Sequence, residues 1–216
     1  QIVIVMSTIP VKKKNEENEE KEPVLKLATL DRLRVAARGL FVELGYHETR
    51  PQDIARRAGV ANGTFYLHFA DKQQAFLDFA AQAQNELLAV LSDRLQHISE
   101  SRARWRVTCG AVVDFGAEHP GLLQAAFLDP AFIAPRDDNA WGMYDRLGHL
   151  VSITVRNNQM IGSTGGQQDE FDLELISHGL CGFLRHAMTY ASRTDLNREK
   201  MIEDLSRFID RGLGNG

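Results

Sequence analysis

Cysteine is scarce in this sequence of 216 residues, and an apolar run of membrane length is missing altogether. Cys109 and Cys181 lie inside apolar helical patterns with no CxxC motif and no Cys/His cluster around them. They read as small buried hydrophobes in a reducing cytosol, which sets aside a disulfide framework and a thiolate metal site. The opening QIVIVM is far shorter than the roughly 18 residues of a membrane-span candidate, and no basic residue precedes it as a secretory signal requires. Met6 is a plausible start. His97, His119, His149, His178 and His186 form no HExxH or paired spacing, so the sequence offers no catalytic residue, no metal ligand and no cofactor site, and an enzyme is not expected. No internal repeat is visible, and no period-two alternation competes with the helical patterns.

Positive charge is also short overall, with a net charge of −4 and a pI near 6.0. Its distribution is uneven. Residues 26–72 hold eight Lys/Arg against five Asp/Glu, whereas residues 73–216 hold thirteen against nineteen. A mildly basic head on an acidic body suits a protein that touches phosphate with one end only.

Residues 11–23, VKKKNEENEEKEP, are charge-rich without apolar periodicity, and residues 1–25 are expected to form a disordered arm, read first as a solvated tail, with Lys12, Lys13 and Lys14 reaching DNA phosphate or a minor groove as the alternative. From Thr29, apolar residues at Leu30, Leu33, Ala37, Leu40, Phe41 and Leu44 predict an amphipathic helix ended by Gly45, with Arg32, Arg34 and Arg38 outside. Arg32 and Arg34 are candidates for phosphate. Within Pro51 to Lys72, Ile54, Ala55 and Ala58 form one apolar stripe, Gly59 supplies a left-handed turn, and a short helix from Asn62 sends Phe65 and Phe69 inward. This is a helix-turn-helix, leaving Asn62, Thr64, Tyr66 and His68 outside.

Through AARGLFVELGYHETR, DIARRAGV, GTFYLHF and DK, from about Arg32 to Leu77, the sequence resembles the TetR (tetracycline-repressor-like) family of bacterial transcriptional regulators. It departs from that pattern at Arg50-Pro51, where a capping Ser or Thr is usual, and at Ala61, where Ser is frequent. The resemblance implies an all-α fold: a three-helix DNA-binding head, placed here at residues 26–72, and a helical ligand-binding and dimerisation body at 73–216. It implies phosphate contacts from Thr64, Tyr66 and Lys72, and base or groove contacts from Ala61, Asn62 and His68. Gly63 allows close backbone approach, and Arg50 and Gln52 are favoured over Arg56 and Arg57 for backbone contact.

In the body, helical patterns run from Asp71 to about Ile98, Arg102 to Glu118, Gly121 to Leu128, Asn139 to Met160, Asp169 to Tyr190 and about Asn197 to Gly212, with a flexible GSTGGQQ loop at Gly162 to Gln168. The last two helices are the expected dimer surface, through Leu175, Gly179, Gly182, Phe183, Leu205 and Phe208. Trp105, Phe127, Trp141, Tyr144 and His178 are candidate walls of an inducer pocket, for an apolar or aromatic small molecule. The expected protein is a cytoplasmic, homodimeric regulator, most simply a repressor released from a palindromic operator by an inducer. The alternative is a dimeric ligand- or protein-binding module of the same fold without ligand-controlled DNA release.

Overall fold

A computed structural model describes residues 16–127, scattered helical positions between 138 and 152, and 172–213 except 192 and 195. Among the described residues every regular element is an α-helix: α1 (Glu16–Glu48), α2 (Pro51–Arg57), α3 (Asn62–Tyr66), α4 (Lys72–Leu95), α5 (Ser101–Glu118), α6 (Leu122–Ala126), α7 (Leu173–Ala191) and α8 (Arg198–Gly212). The all-α expectation holds. The expected arm differs: α1 already begins at Glu16, within the Glu- and Lys-rich stretch, residue types with good helix propensity that need no apolar stripe to coil. Lys12, Lys13, Lys14, Met6 and the loop at 162–168 lie outside the described residues.

Gly45 takes φ 78°, ψ 174° and kinks α1, and Thr49 closes that end. Its buried hydroxyl donates to the Gly45 carbonyl at 2.7 Å and the Leu40 carbonyl at 3.2 Å. Asp71 starts α4 by accepting the Gln74 N–H at 2.8 Å, a conventional N-cap. Asn197 does the same for α8 through the Lys200 N–H.

Two buried clusters form the interior. The first joins Leu33 and Phe41 of α1, Ile54 of α2 and Phe65 of α3 to Phe76, Phe79 and Leu87 of α4, and reaches Phe115 and Leu122. Phe41 meets Phe76 edge-on at 5.1 Å, an arrangement that adds specificity to apolar burial. The second packs Trp105, Cys109 and Val113 of α5 against Leu184 of α7 and Ile202 and Ile209 of α8, and Met188 touches both clusters. The first cluster therefore crosses the boundary at residue 72. Head and body share one core, and α4 is part of both.

Polar ties follow the same route. Arg34 grips Asp78 through two hydrogen bonds, at 2.8 and 3.0 Å, and Arg38 grips Glu86 likewise, at 2.5 and 3.0 Å, so α1 is clamped to α4 at two levels. Such partly exposed pairs fix geometry more than they add stability. Asp114 of α5 receives Arg94 of α4 at 2.7 Å and Arg198 of α8 at 2.8 Å. Burial pushes the Asp114 carboxyl up, but the hydrogen bonds from both guanidinium groups outweigh it and hold it below its ordinary range.

Candidate nucleic-acid interface

The turn before α3 is set by one glycine. Gly59 has φ 66°, its N–H bonds the Arg56 carbonyl at 3.1 Å, and the Val60 N–H bonds the Ala55 carbonyl at 3.0 Å. This is a Schellman closure, in which any residue with a Cβ is strained by roughly 1–2 kcal/mol. Val60 packs against the first cluster at the bend. Ala61 is extended, and the Thr64 N–H returns to its carbonyl at 2.9 Å, opening α3 without any side-chain cap.

Phe65 and Phe69 are buried and lie 5.4 Å apart between ring centres, which anchors α3 by one side. Ala61, Asn62, Gly63, Tyr66 and Leu67 are exposed on α3 and its flanks, and Thr64 and His68 are half-buried. Arg50 and Gln52, at the start of α2, are exposed as well. Arg50 stands at the N-cap position without a side-chain cap, Pro51 supplies N1, and the nearby Thr49 serves α1 instead. Polarity alone does not single out Leu67, yet it is the most exposed large hydrophobic residue described, at 81%.

Three other arginines of the head, Arg34, Arg56 and Arg57, are already committed. Arg56 bonds Asp53 at 2.6 Å, and Arg57 grips Glu43 with both ends of its guanidinium, at 2.6 and 2.9 Å. The hydrogen bonds from Arg57 hold the Glu43 carboxyl below its ordinary range. Arg34, expected near phosphate, is instead spent on Asp78, because that carboxylate of α4 faces it across the helix pair; Arg32 is exposed.

Lys72 is also placed differently from a free phosphate ligand. Its ammonium donates to the Tyr46 carbonyl at 2.9 Å and the His47 carbonyl at 3.1 Å, and lies 4.5 Å from the centre of the Tyr46 ring. A cation at the end of α1 satisfies carbonyls that the helix leaves open. Of the ammonium's three donors, two are used internally. The start of α4 beside it is likewise partly occupied, since Asp71 takes the Gln74 N–H.

The candidate pocket residues lie in different surroundings. Trp105 is buried in the second cluster, Phe127 packs against the first, Trp141 is exposed, and Tyr144 lies outside the described residues. His178 lies flat against Gly148, where a Cβ would approach its ring to 2.5 Å, and its Nε2 is 3.6 Å from the Asp145 carboxylate. The Trp105 indole N–H and the Thr108 hydroxyl, one turn apart on α5, are buried with no hydrogen-bond partner among the described residues. Burial pushes the Cys109 thiol up to about 12, and it pushes Cys181 up to about 11 against the opposing charge of Arg185, so neither thiol is ionised near neutral pH.

Of the candidate dimer residues, two are in contact and the others lie on the same two helices. Phe183 of α7 stacks on Phe208 of α8 at 5.1 Å, Phe208 is 63% exposed and Leu175 69% exposed. A Cβ at Gly179 or Gly182 would meet nothing within 4 Å. Leu205 and Phe183 are partly buried and pack against the second cluster.

Comparison with known proteins bears on the family of the head and on the fold. The family of bacterial regulatory proteins, tetR family, matches residues 33–78. The HTH-type transcriptional activator FasR of Mycolicibacterium smegmatis is 32% identical over 83 residues, a stretch covering 38% of this chain and 38% of FasR. The chain thus matches well under half the length of that relative. Among solved structures, the fatty acid degradation regulator FadR of Bacillus halodurans superposes with a TM-score of 0.68 at 17% identity, covering 82% of this chain and 92% of FadR. FadR of Bacillus subtilis, solved in complex with stearoyl-CoA, gives a TM-score of 0.67 at 14% identity, covering 82% and 96%. At such identity the likeness carries the fold alone.

Proposed function

We propose, proceeding from a head that matches the tetR family of bacterial regulatory proteins over residues 33–78, that the chain is a TetR-family, ligand-responsive transcriptional regulator binding double-stranded operator DNA as a homodimer in the bacterial cytoplasm. The observation that carries this reading is the outward face of α3, where Asn62, Gly63 and Tyr66 are free of the core while Phe65 and Phe69 anchor the helix from behind. Asn62 and Ala61 are assigned to base edges, since an Asn amide pairs with adenine and a methyl group with thymine. Tyr66, Thr64, Arg50 and Gln52 are assigned to the phosphate backbone, with Lys72 contributing its remaining donor, and His68 borders the groove. A Cβ at Gly63 would meet nothing in the chain, so no internal packing asks for glycine there; close approach of DNA does.

Two heads joined through α7 and α8 would read half-sites roughly 34–36 Å apart, or a longer spacing in register with that turn, on a palindrome. Ligand entering the body would act through α4, which shares the first cluster and both arginine clamps with α1. A coupling of about 1–3 kcal/mol changes operator affinity roughly 5- to 150-fold. The class of ligand to test first is a fatty acyl thioester. Support comes from FadR of Bacillus subtilis with its stearoyl-CoA, and from buried Trp105 and Thr108 donors that suit a mostly apolar ligand with a polar group.

The test is a gel-shift titration on DNA upstream of the chain's own gene, at several salt concentrations, with and without stearoyl-CoA, free stearate or coenzyme A. The reading requires salt-dependent, sequence-selective binding as a dimer. Absence of selective binding removes it, and affinity unchanged by any of the three compounds removes the acyl thioester but not the DNA-binding function. Reporter expression then distinguishes repression from the activation named for FasR.

A further inference from the structure

We infer that Leu67 is a sequence-determining residue of this head, reading a thymine C5-methyl group in the major groove. The inference rests on the DNA-binding reading above and adds to it a contact that polar residues cannot make.

The argument is geometric. A helix turns about 100° per residue, so Leu67 lies about 40° from Gly63 and about 180° from the direction midway between Phe65 and Phe69. Those two rings are buried and fix which side of α3 faces the core. Leu67 continues the helical backbone, with φ −76° and ψ −19°. Of the side chains on α3 and its C-cap, it is therefore the one aimed most directly away from the protein. Its 81% exposure agrees, against 50% for the neighbouring Tyr66.

The chemistry of that position is equally specific. Leucine offers no hydrogen bond, so it cannot hold a phosphate or pair with a base edge. In a major groove the apolar feature that it meets is the methyl group that distinguishes thymine from every other base. Gly63, on the same side one turn earlier and open on all sides, lets the helix approach closely enough for a side chain of this length to reach. The lone apolar group is flanked by Tyr66, Thr64 and Asn62 rather than by other apolar side chains, which suits a groove floor more than a protein partner.

The test uses the full chain and a duplex recovered from a random-core DNA pool by selection with that chain. Each thymine of the duplex is replaced in turn by uracil, which removes the methyl and leaves all hydrogen bonds in place. The expected result is a loss of about four-fold at one position in each half-site, the size of one buried methyl group. At that position Leu67→Ala and Leu67→Asn should bind the thymine and uracil duplexes equally, with an unchanged salt slope and melting temperature, while a thymine facing Ala61 keeps its own response in parent and variants alike. If no uracil substitution weakens the parent chain, or if Leu67→Asn retains the sensitivity to the methyl group, the assignment is overturned while the DNA-binding function stands. Failure of the parent chain to select any duplex would overturn the DNA-binding function, and this assignment with it.

Discussion

The tip of α3 and the outer face of α7 and α8 both leave large apolar side chains in water, and they differ in what surrounds them. At α3 a single leucine, Leu67, stands among Asn62, Gly63, Thr64 and Tyr66. On α7 and α8, Leu175 and Phe208 are exposed, and half-buried Phe183 stacks on Phe208. A lone apolar group within polar surroundings suits a base edge, whose own surface is mostly hydrogen-bonding. A broader apolar face with open glycines suits a second helix pair of the same kind, and repeats itself across a two-fold axis. The contrast teaches that exposure alone does not identify a partner; the neighbours do.

The sharpest way to break this comparison is to charge the broad face. Leu175→Glu with Phe208→Glu should convert dimer to monomer in sedimentation experiments and weaken operator binding by about 100-fold or more, because the second head no longer binds as part of one molecule. Secondary structure should persist, since both side chains are exposed. A double variant that stays dimeric would move the interface elsewhere. On the other surface, Asn62→Ala should cost about 1–3 kcal/mol of discrimination at one operator position and little elsewhere. Tyr66→Phe should instead weaken all sequences alike. Binding curves on a panel of base-substituted operators separate these outcomes, and an unaltered preference in Asn62→Ala would remove its base contact.

Legibility follows how local each feature is. Gly59, Phe65 and Phe69 obey short-range rules of turn and period, and the structure places them as the sequence predicts. The fates of Arg34, Arg57 and Lys72 were not legible, because each depends on a partner 44, 14 or about 26 residues away that chain order does not bring near. Leu67 was hidden for another reason, since a search for DNA contacts weights polar side chains. The pocket was the least legible: Trp105 and Phe127 sit on apolar helix faces, and nothing in periodicity distinguishes a wall of a cavity from the interior of a cluster.

Gly59→Ala tests the local part of this account. With φ at 66° and no neighbour within 4 Å of an added Cβ, any loss comes from backbone strain rather than from a clash. The expected loss is about 1–2 kcal/mol in urea denaturation, with operator affinity reduced only as far as the folded fraction falls. A larger loss of affinity than of stability would mean that the angle between α2 and α3 has changed. The lone-leucine surface would then depend on the turn as well as on its own side chain.

The smallest effect concerns the helices that carry the broad face. Asp114 joins α4, α5 and α8 through Arg94 and Arg198, and its folded carboxyl titrates below the ordinary value near 3.9. A group depressed in the folded state contributes stability above its unfolded pKa and loses it as pH falls through the folded one. Lowering the pH from about 5 to about 3 should therefore reduce the stability of the parent chain slightly more than that of Asp114→Asn. Because both arginines are partly exposed, the difference should stay below about 1 kcal/mol. If the dimer loosens over the same interval in the parent and not in Asp114→Asn, the broad face is held in register from the body side through this carboxylate. Equal acid responses in the two proteins would assign that register to apolar packing around Ile202 and Ile209 alone.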